Sequence, residues 1–188
     1  MNRMDSMDSR KGAKAQRRMR RERREDAPHF DFNVSFFAAL REKMIRSISA
    51  ADTIEIRWPV LRPGFPRESA IFAGDELASP KHFGAFDGGR LVGVVSIYPA
   101  PLPERAEATP AWQLRGMATL PEVRGRGFGC ALLDACLAHA RAEHAALLWC
   151  NARTSAAPFY AKHGWRILGE KFDIPTVGPH FRMVLELR

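Results

Sequence analysis

The alternation of apolar and polar positions changes character several times along this chain, and each change predicts an element. Thr53-Ile54-Glu55-Ile56-Arg57 alternates with a period of two and predicts a half-buried strand. Pro59, Pro63 and Pro66 then speak against any long regular element, so short helical turns and loops are expected over 64–80. Lys81–Phe86 and Arg90–Tyr98 are strand-like runs joined by Asp87-Gly88-Gly89, a hairpin turn in which glycine supplies the positive φ. After a proline-rich loop from Pro99 to Pro110, Trp112–Leu120 predicts another strand, stopped by Pro121. From Gly127 to His144 the apolar positions Leu132, Leu133, Cys136, Leu137 and Ala140 recur at helical steps and give a continuous face. Ala145–Cys150 predicts a strand covered on both sides, and Ser155–His163 a shorter helix ended by Gly164. Lys171–Ile174 and His180–Leu187 predict two closing strands around a turn rich in proline and glycine. Upstream, Phe36, Phe37 and Leu40 would make one amphipathic turn. The order of elements is that of a mixed α/β domain.

Composition narrows the class. The 188 residues suffice for one domain with its own core, and 46% hydrophobic with 27% charged residues is a globular balance. No apolar run reaches the roughly 18 residues of a membrane span, and the basic N-terminus lacks the apolar stretch of a secretory signal. Cys130, Cys136 and Cys150 are an odd count without metal-ligand spacing; they point to a reducing, cytoplasmic setting and call for no metal. Cys130 and Cys136 share one predicted helix and read as small buried hydrophobes. The net charge of +8 is uneven, because residues 1–26 carry ten Lys/Arg against five Asp/Glu. The excess is largely a property of the tail, which argues against a nucleic-acid groove on the folded part. Residues 1–43 therefore read as a basic, disordered extension and 44–188 as the domain. A true translation start near Met44 is one account of that extension, and a nucleic-acid-binding arm is another.

The chemistry concentrates in Trp112–Gly129. A strand ends at Pro121, and a loop with glycines at alternate positions (Gly125, Gly127, Gly129) feeds straight into the long helix. Glycine lets successive backbone amides converge on one anion, and the helix start adds unpaired N–H groups and a positive dipole end. Arg124 and Arg126 place full charges beside them. The segment reads as a pyrophosphate-binding turn. It lacks the Lys-Ser/Thr ending of a Walker loop, and its third glycine comes one residue too early for the dinucleotide fingerprint.

Arg124-Gly125-Arg126-Gly127-Phe128-Gly129 resembles the (Gln/Arg)-x-x-Gly-x-(Gly/Ala) signature of the GNAT superfamily of N-acetyltransferases, between a strand and an amphipathic helix as in that family. Asn151 through Phe159-Tyr160 to Gly164-Trp165 resembles the family's second conserved region. The resemblance spans about 53–188 and implies the GNAT acyl-CoA N-acyltransferase fold, α/β (α+β) with a central mixed, mostly antiparallel twisted sheet flanked by helices. It implies acetyl-CoA as cosubstrate and a small-molecule or peptide amine as acceptor, acetylated by direct attack, and it leaves room for a homodimer. By position, backbone groups of Met117, Ala118 and Thr119 would hold the pantetheine arm, and the amides from Arg124 through Gly125, Arg126, Gly127 and Phe128 to Gly129 the pyrophosphate. Asn151 would lie near the cofactor, or serve as a helix cap. Tyr160 would donate a proton or hydrogen bond to the leaving thiolate. For the base that frees the amine, His180 leads Glu104, Glu107, Glu122, Asp87 and His82; Cys150 as a nucleophile is a minor alternative. Acceptor choice would fall to about 62–80, 99–110 and 171–180, where the acidic residues of the middle loop hint at a cationic acceptor. A degenerate fold that binds acyl-CoA without turnover, or a nucleic-acid-associated protein using its tail, are the competing classes.

Overall fold

Strand β1 (Met44–Ser47) leads through a tight turn to helix α1 (Ala50–Leu61). A short 3-10 turn (Arg67–Ala70) and an irregular stretch precede the hairpin β2 (Lys81–Asp87) and β3 (Arg90–Pro99). Then come β4 (Ala111–Thr119), α2 (Phe128–Ala142), β5 (Leu147–Arg153), α3 (Ala157–Lys162), β6 (Arg166–Ile174) and β7 (Gly178–Glu186). These elements are those of a computed structural model that describes residues 44–105 and 110–187. The expected turn around Phe36, Phe37 and Leu40, the basic extension, and Glu107 lie outside them. Among the described residues the strands form one seven-stranded sheet in the order β1-β2-β3-β4-β5-β7-β6, antiparallel throughout except for β4 and β5.

One predicted element has the wrong type. Thr53–Arg57 is helix, not strand, because Ser49-Ala50-Ala51-Asp52 forms a capping box. The Ser49 hydroxyl accepts from the Asp52 amide at 3.2 Å, while the Asp52 carboxylate accepts from the Ser49 amide at 2.9 Å. That pair satisfies two otherwise orphaned donors and nucleates the turn that the alternation disguised. Thr53, Ile56 and Arg57 then become neighbours on one buried face, and Pro59 is carried in the last turn, where few bonds remain to break. Strand β1 escaped the pattern altogether. Strand β6 begins at Arg166 rather than near Lys171; Gly169 at φ +72° and a register shift between Leu168 and Phe172 break the alternation that would mark it.

The main core lies between the sheet and helices α2 and α3. Phe128, Leu132, Leu133 and Cys136 of α2 pack with Val95, Ile97 and Leu114 and with Leu148 and Cys150. On the other face Ile56 of α1 meets Val94 and Ala118. The sheet is thus covered on both sides around β4, which fixes that strand firmly.

Candidate active site

Strands β4 and β5 pair at only three positions, Ala111–Leu147, Trp112–Leu148 and Gln113–Trp149, although both strands run on. Beyond Gln113 the edge of β4 that faces β5 has no strand partner among the described residues. Part of the cause is a β-bulge. Ser96 pairs with Arg115 and Val94 with Ala118, so Gly116 and Met117 oppose a single residue of β3. Gly116 sits at φ +61°, and a Cβ there would lie 2.4 Å from Arg57 Nε, so only glycine fits.

The parting strands open a cavity of about 590 Å³, lined by Gln113 to Met117 on one side and Cys150 to Arg153 on the other. Tyr160, His180, Asn151 and Met117 all line it. The two elements that Tyr160 and His180 occupy, α3 and β7, are brought together by β5, which pairs Arg153 with His180.

Tyr160 is buried, with its hydroxyl 3.5 Å from Met117 Sδ. Burial drives its pKa well above the usual phenol value, and the neighbouring Cys150 and Cys136 push the same way, so the side chain stays a neutral O–H donor. Burial likewise raises the Cys150 thiol, which disfavours the thiolate a nucleophile requires. His180 is buried, and its Nδ1 lies 2.7 Å from the Gly178 carbonyl. A carbonyl only accepts, so Nδ1 carries a proton, and Nε2 is the nitrogen that can take or give one up. Asn151 does not cap α3, whose N-cap is Ala156 without a side-chain bond. Its Oδ1 is buried without a partner in a half-buried residue on the cavity wall.

The glycine loop forms the start of α2. Gly127 is the N-cap at φ 84°, and no side chain caps the helix. The first bond to close is Ala131 N–H to Gly127 O at 3.1 Å, so the amides of Gly129 and Cys130 precede it and face outward for an acceptor. Gly125 also has positive φ, +75°, with open space where a side chain would stand. Arg126 pairs with Asp87 at 3.0 Å and lies over the Phe128 ring, whereas Arg124 is exposed. Of the cofactor candidates on β4, Met117 and Thr119 are half-buried, and Ala118 is buried against Ile56.

The remaining base candidates that are described lie elsewhere. Glu122 is exposed and paired with Arg90 at 3.0 Å, and Glu104 faces Arg182 at 3.7 Å. Asp87 is engaged by Arg126. His82 is structural: its Nε2 donates to the Asp75 carbonyl at 3.0 Å, so its Nδ1 must accept from Ser96 Oγ.

That histidine belongs to a buried polar network that sequence reasoning missed. Arg57, fully buried, bonds the Asp75 carboxylate through Nη1 and Ser96 Oγ through Nη2, with its guanidinium 4.4 Å from the Phe72 ring centroid. Arg115 reaches the same carboxylate at 3.2 Å and lies 4.4 Å from the Tyr98 ring centroid. The network ties α1, β3 and β4 to the loop carrying Phe72, and that loop lines the cavity. The one available signal was Arg57 on the apolar face of α1, and it was masked by reading that segment as a strand.

Comparison with known proteins agrees with this geometry. The profile of the "Acetyltransferase (GNAT) family" matches residues 44–165. The chain is 40% identical over 145 residues to the uncharacterized N-acetyltransferase YitI of Bacillus subtilis (strain 168), covering 77% of this chain and 96% of that protein. Among solved structures the fold is similar to FeeM, an N-acyl amino acid synthase from uncultured soil microbes (TM-score 0.65, 18% identity, 77% of this chain and 91% of that one). It is also similar to Escherichia coli ElaA (TM-score 0.62, 15% identity, 77% and 99%) and to an aminoglycoside 6'-N-acetyltransferase complexed with coenzyme A (TM-score 0.61, 13% identity, 76% and 96%).

Proposed function

The chain belongs to the GNAT acetyltransferase family, and from that premise we propose that it transfers the acetyl group of acetyl-CoA directly to an amine. The observation that carries this reading is the opening between β4 and β5 beside an uncapped, glycine-started helix. Three features of the chain fit coenzyme A: the unpaired edge of β4, the outward amides at the start of α2, and the orphaned Asn151 Oδ1. The cosubstrate, when bound, supplies an acetyl thioester, and the chain does the rest.

Backbone groups of Met117 and Thr119 would extend the sheet onto the pantetheine arm, as an added strand would. The amides of Gly125, Gly127 and Gly129, with the Arg124 and Arg126 side chains beside them, would hold the diphosphate at the helix start. Contrary to the expectation from sequence, the Arg124 and Arg126 amides are already given to the Pro121 and Val123 carbonyls, each at 3.2 Å. Asn151 Oδ1 would accept an N–H donor of either substrate. Tyr160 O–H would donate to the sulfur as the C–S bond breaks, a role that needs the protonated phenol burial enforces. His180 Nε2 would accept the proton that the amine must lose. For a lysine-like amine of pKa about 10.4, freeing the lone pair at pH 7 costs roughly 4–5 kcal/mol, so an internal acceptor matters.

The test is calorimetric titration with coenzyme A and acetyl-CoA, followed by a thiol-release assay on an amine panel. Saturable binding and acceptor-dependent thiol release are expected. Absence of binding at millimolar cofactor would refute the proposal.

A further inference from the structure

The cavity has a second property that the transfer chemistry does not use: its α1 side is cationic. Arg153 Nη2 donates to the Leu61 carbonyl at 2.8 Å, and Arg62 Nη1 donates to the same oxygen at 3.0 Å. One carbonyl at the C-terminal end of α1 therefore holds two guanidiniums side by side on the cavity wall. Arg115 lines the same cavity. The Asp75 carboxylate is the acid bonded into this cluster, and Arg57 and Arg115 already share it. Arg62 and Arg153 have no carboxylate partner among the described residues, and no Asp or Glu is among the described residues lining the cavity.

Two like charges on one carbonyl repel. The helix end, the Ser69 carbonyl that accepts from Arg62 Nε at 3.2 Å and the Phe72 ring 5.3 Å from Arg62 offset part of that, and an anion lying across both would offset more. Burial, and after it the charge of Arg153, lower the Arg62 pKa. The diphosphate of the cosubstrate is not a candidate for this place. Its proposed cradle, the start of α2 with Arg124 and Arg126, does not line the cavity. Glu104, which the sequence offered as a lure for cations, is turned to Arg182 instead. The register adds the last element: Arg153 pairs across the sheet with His180, so an anion on Arg153 lies one strand away from the nitrogen that would deprotonate an amine. Phe72 and Val177 supply apolar wall alongside.

Resting on the acetyltransferase reading, we propose that the acceptor is an amine that carries its own anionic group, of the amino-acid type, with its carboxylate held across Arg62 and Arg153 and its apolar remainder against Phe72 and Val177. Arg62 Nε and Nη1 already donate to the Ser69 and Leu61 carbonyls and Arg153 Nη2 to Leu61, so the carboxylate would take the remaining N–H donors of the two guanidiniums. They act as specificity-determining residues and take no part in proton transfer.

The experiment uses the full chain and acetyl-CoA, with leucine, phenylalanine and methionine each compared with its own amide, and with phosphoethanolamine and spermidine as further arms. The amide's amine is the weaker base and is less protonated at neutral pH, so intrinsic reactivity favours the amide. We expect the acid to be used about 10–100-fold better in kcat/KM, the range of a charge-assisted hydrogen bond, chiefly through KM. The Arg153→Gln and Arg62→Gln variants should each drive the acid-to-amide ratio toward one, with Arg153→Lys keeping part of it. Better use of phosphoethanolamine than of the amino acids would retain the anion site and assign its ligand as phosphate. Preference for the amides or spermidine, or an unchanged ratio in folded variants of both arginines, overturns the inference. Calorimetry separates the two claims. Cofactor binding without saturable binding of any of the three acids sinks this inference alone, whereas acid binding without cofactor binding sinks the acetyltransferase reading and with it the acceptor role, leaving only the anion site.

Discussion

Replacing Asp75 by Asn tests whether the buried network shapes the acceptor side of the cavity. The carboxylate accepts from Arg57 in a buried bond, and from Arg115 and the Phe72 amide in part-buried bonds of 3.2 Å each. Asparagine preserves the shape and one acceptor oxygen, but it removes the negative charge and points an NH₂ group at a guanidinium. Burial already pushes the Arg57 pKa down, and the Asp75 hydrogen bond and charge are what oppose that push. Breaking a buried pair from one side costs about 3–5 kcal/mol. At roughly 2–4 °C per kcal/mol for a chain of this size, Tm should fall by about 6–20 °C. Differential scanning fluorimetry reads the loss. At a temperature where the variant is folded, the acceptor KM should rise, because Ile71, Phe72 and Ala73 line the cavity beside the lost anchor, while coenzyme A affinity should hold. A Tm loss below about 3 °C would refute the view that Asp75 neutralises the buried arginine.

Three further outcomes follow from other parts of the structure. Tyr160→Phe should lower turnover at least about tenfold with little loss of stability, because the hydroxyl's nearest partners are sulfur atoms; unchanged thiol release would remove it from the chemistry. Gly116→Ala should cost about 2–5 kcal/mol, adding left-handed strain to the collision with Arg57, and urea unfolding checks it. His139, packed edge-on to Trp112 and Phe83, has a pKa lowered by burial. The unfolded chain then binds more protons just below the ordinary histidine value, so stability present above that value is lost as pH falls toward the folded one. His139→Gln should flatten the slope of urea midpoints between about pH 7 and 5.

The parts of this molecule that could be read from sequence are those with one dominant local cause. The β2–β3 hairpin, helix α2 and strand β5 follow from a glycine turn, a helical apolar period and a continuous apolar run, each independent of distant partners. Tyr160 and Asn151 were legible through the motif that holds them and His180 as an imidazole at the start of a late strand, and all three line one cavity. Helix α1 was misread because five alternating residues outweighed the Ser49–Asp52 cap just before them. The arginine network was illegible for a different reason: Arg57, Asp75 and Arg115 are far apart in sequence and meet only through the bulge at Gly116 and the packing of α1 on β4. Arg62 and Arg153 likewise become neighbours only at the end of a helix, on a shared backbone oxygen.

The shallow contact between β4 and β5 has a mechanical consequence. Within the sheet, three rungs, from Ala111 to Gln113 against Leu147 to Trp149, join two wings, β1–β4 and β5–β7–β6, which otherwise meet through the core under α2 and a few side-chain bonds. A molecule that lies along the gap with amide groups of its own supplies the missing rungs and staples the wings together. Occupancy should therefore slow amide hydrogen exchange on both wings at once, far beyond the atoms it touches, so the protein would register its cargo as stiffness across the whole sheet.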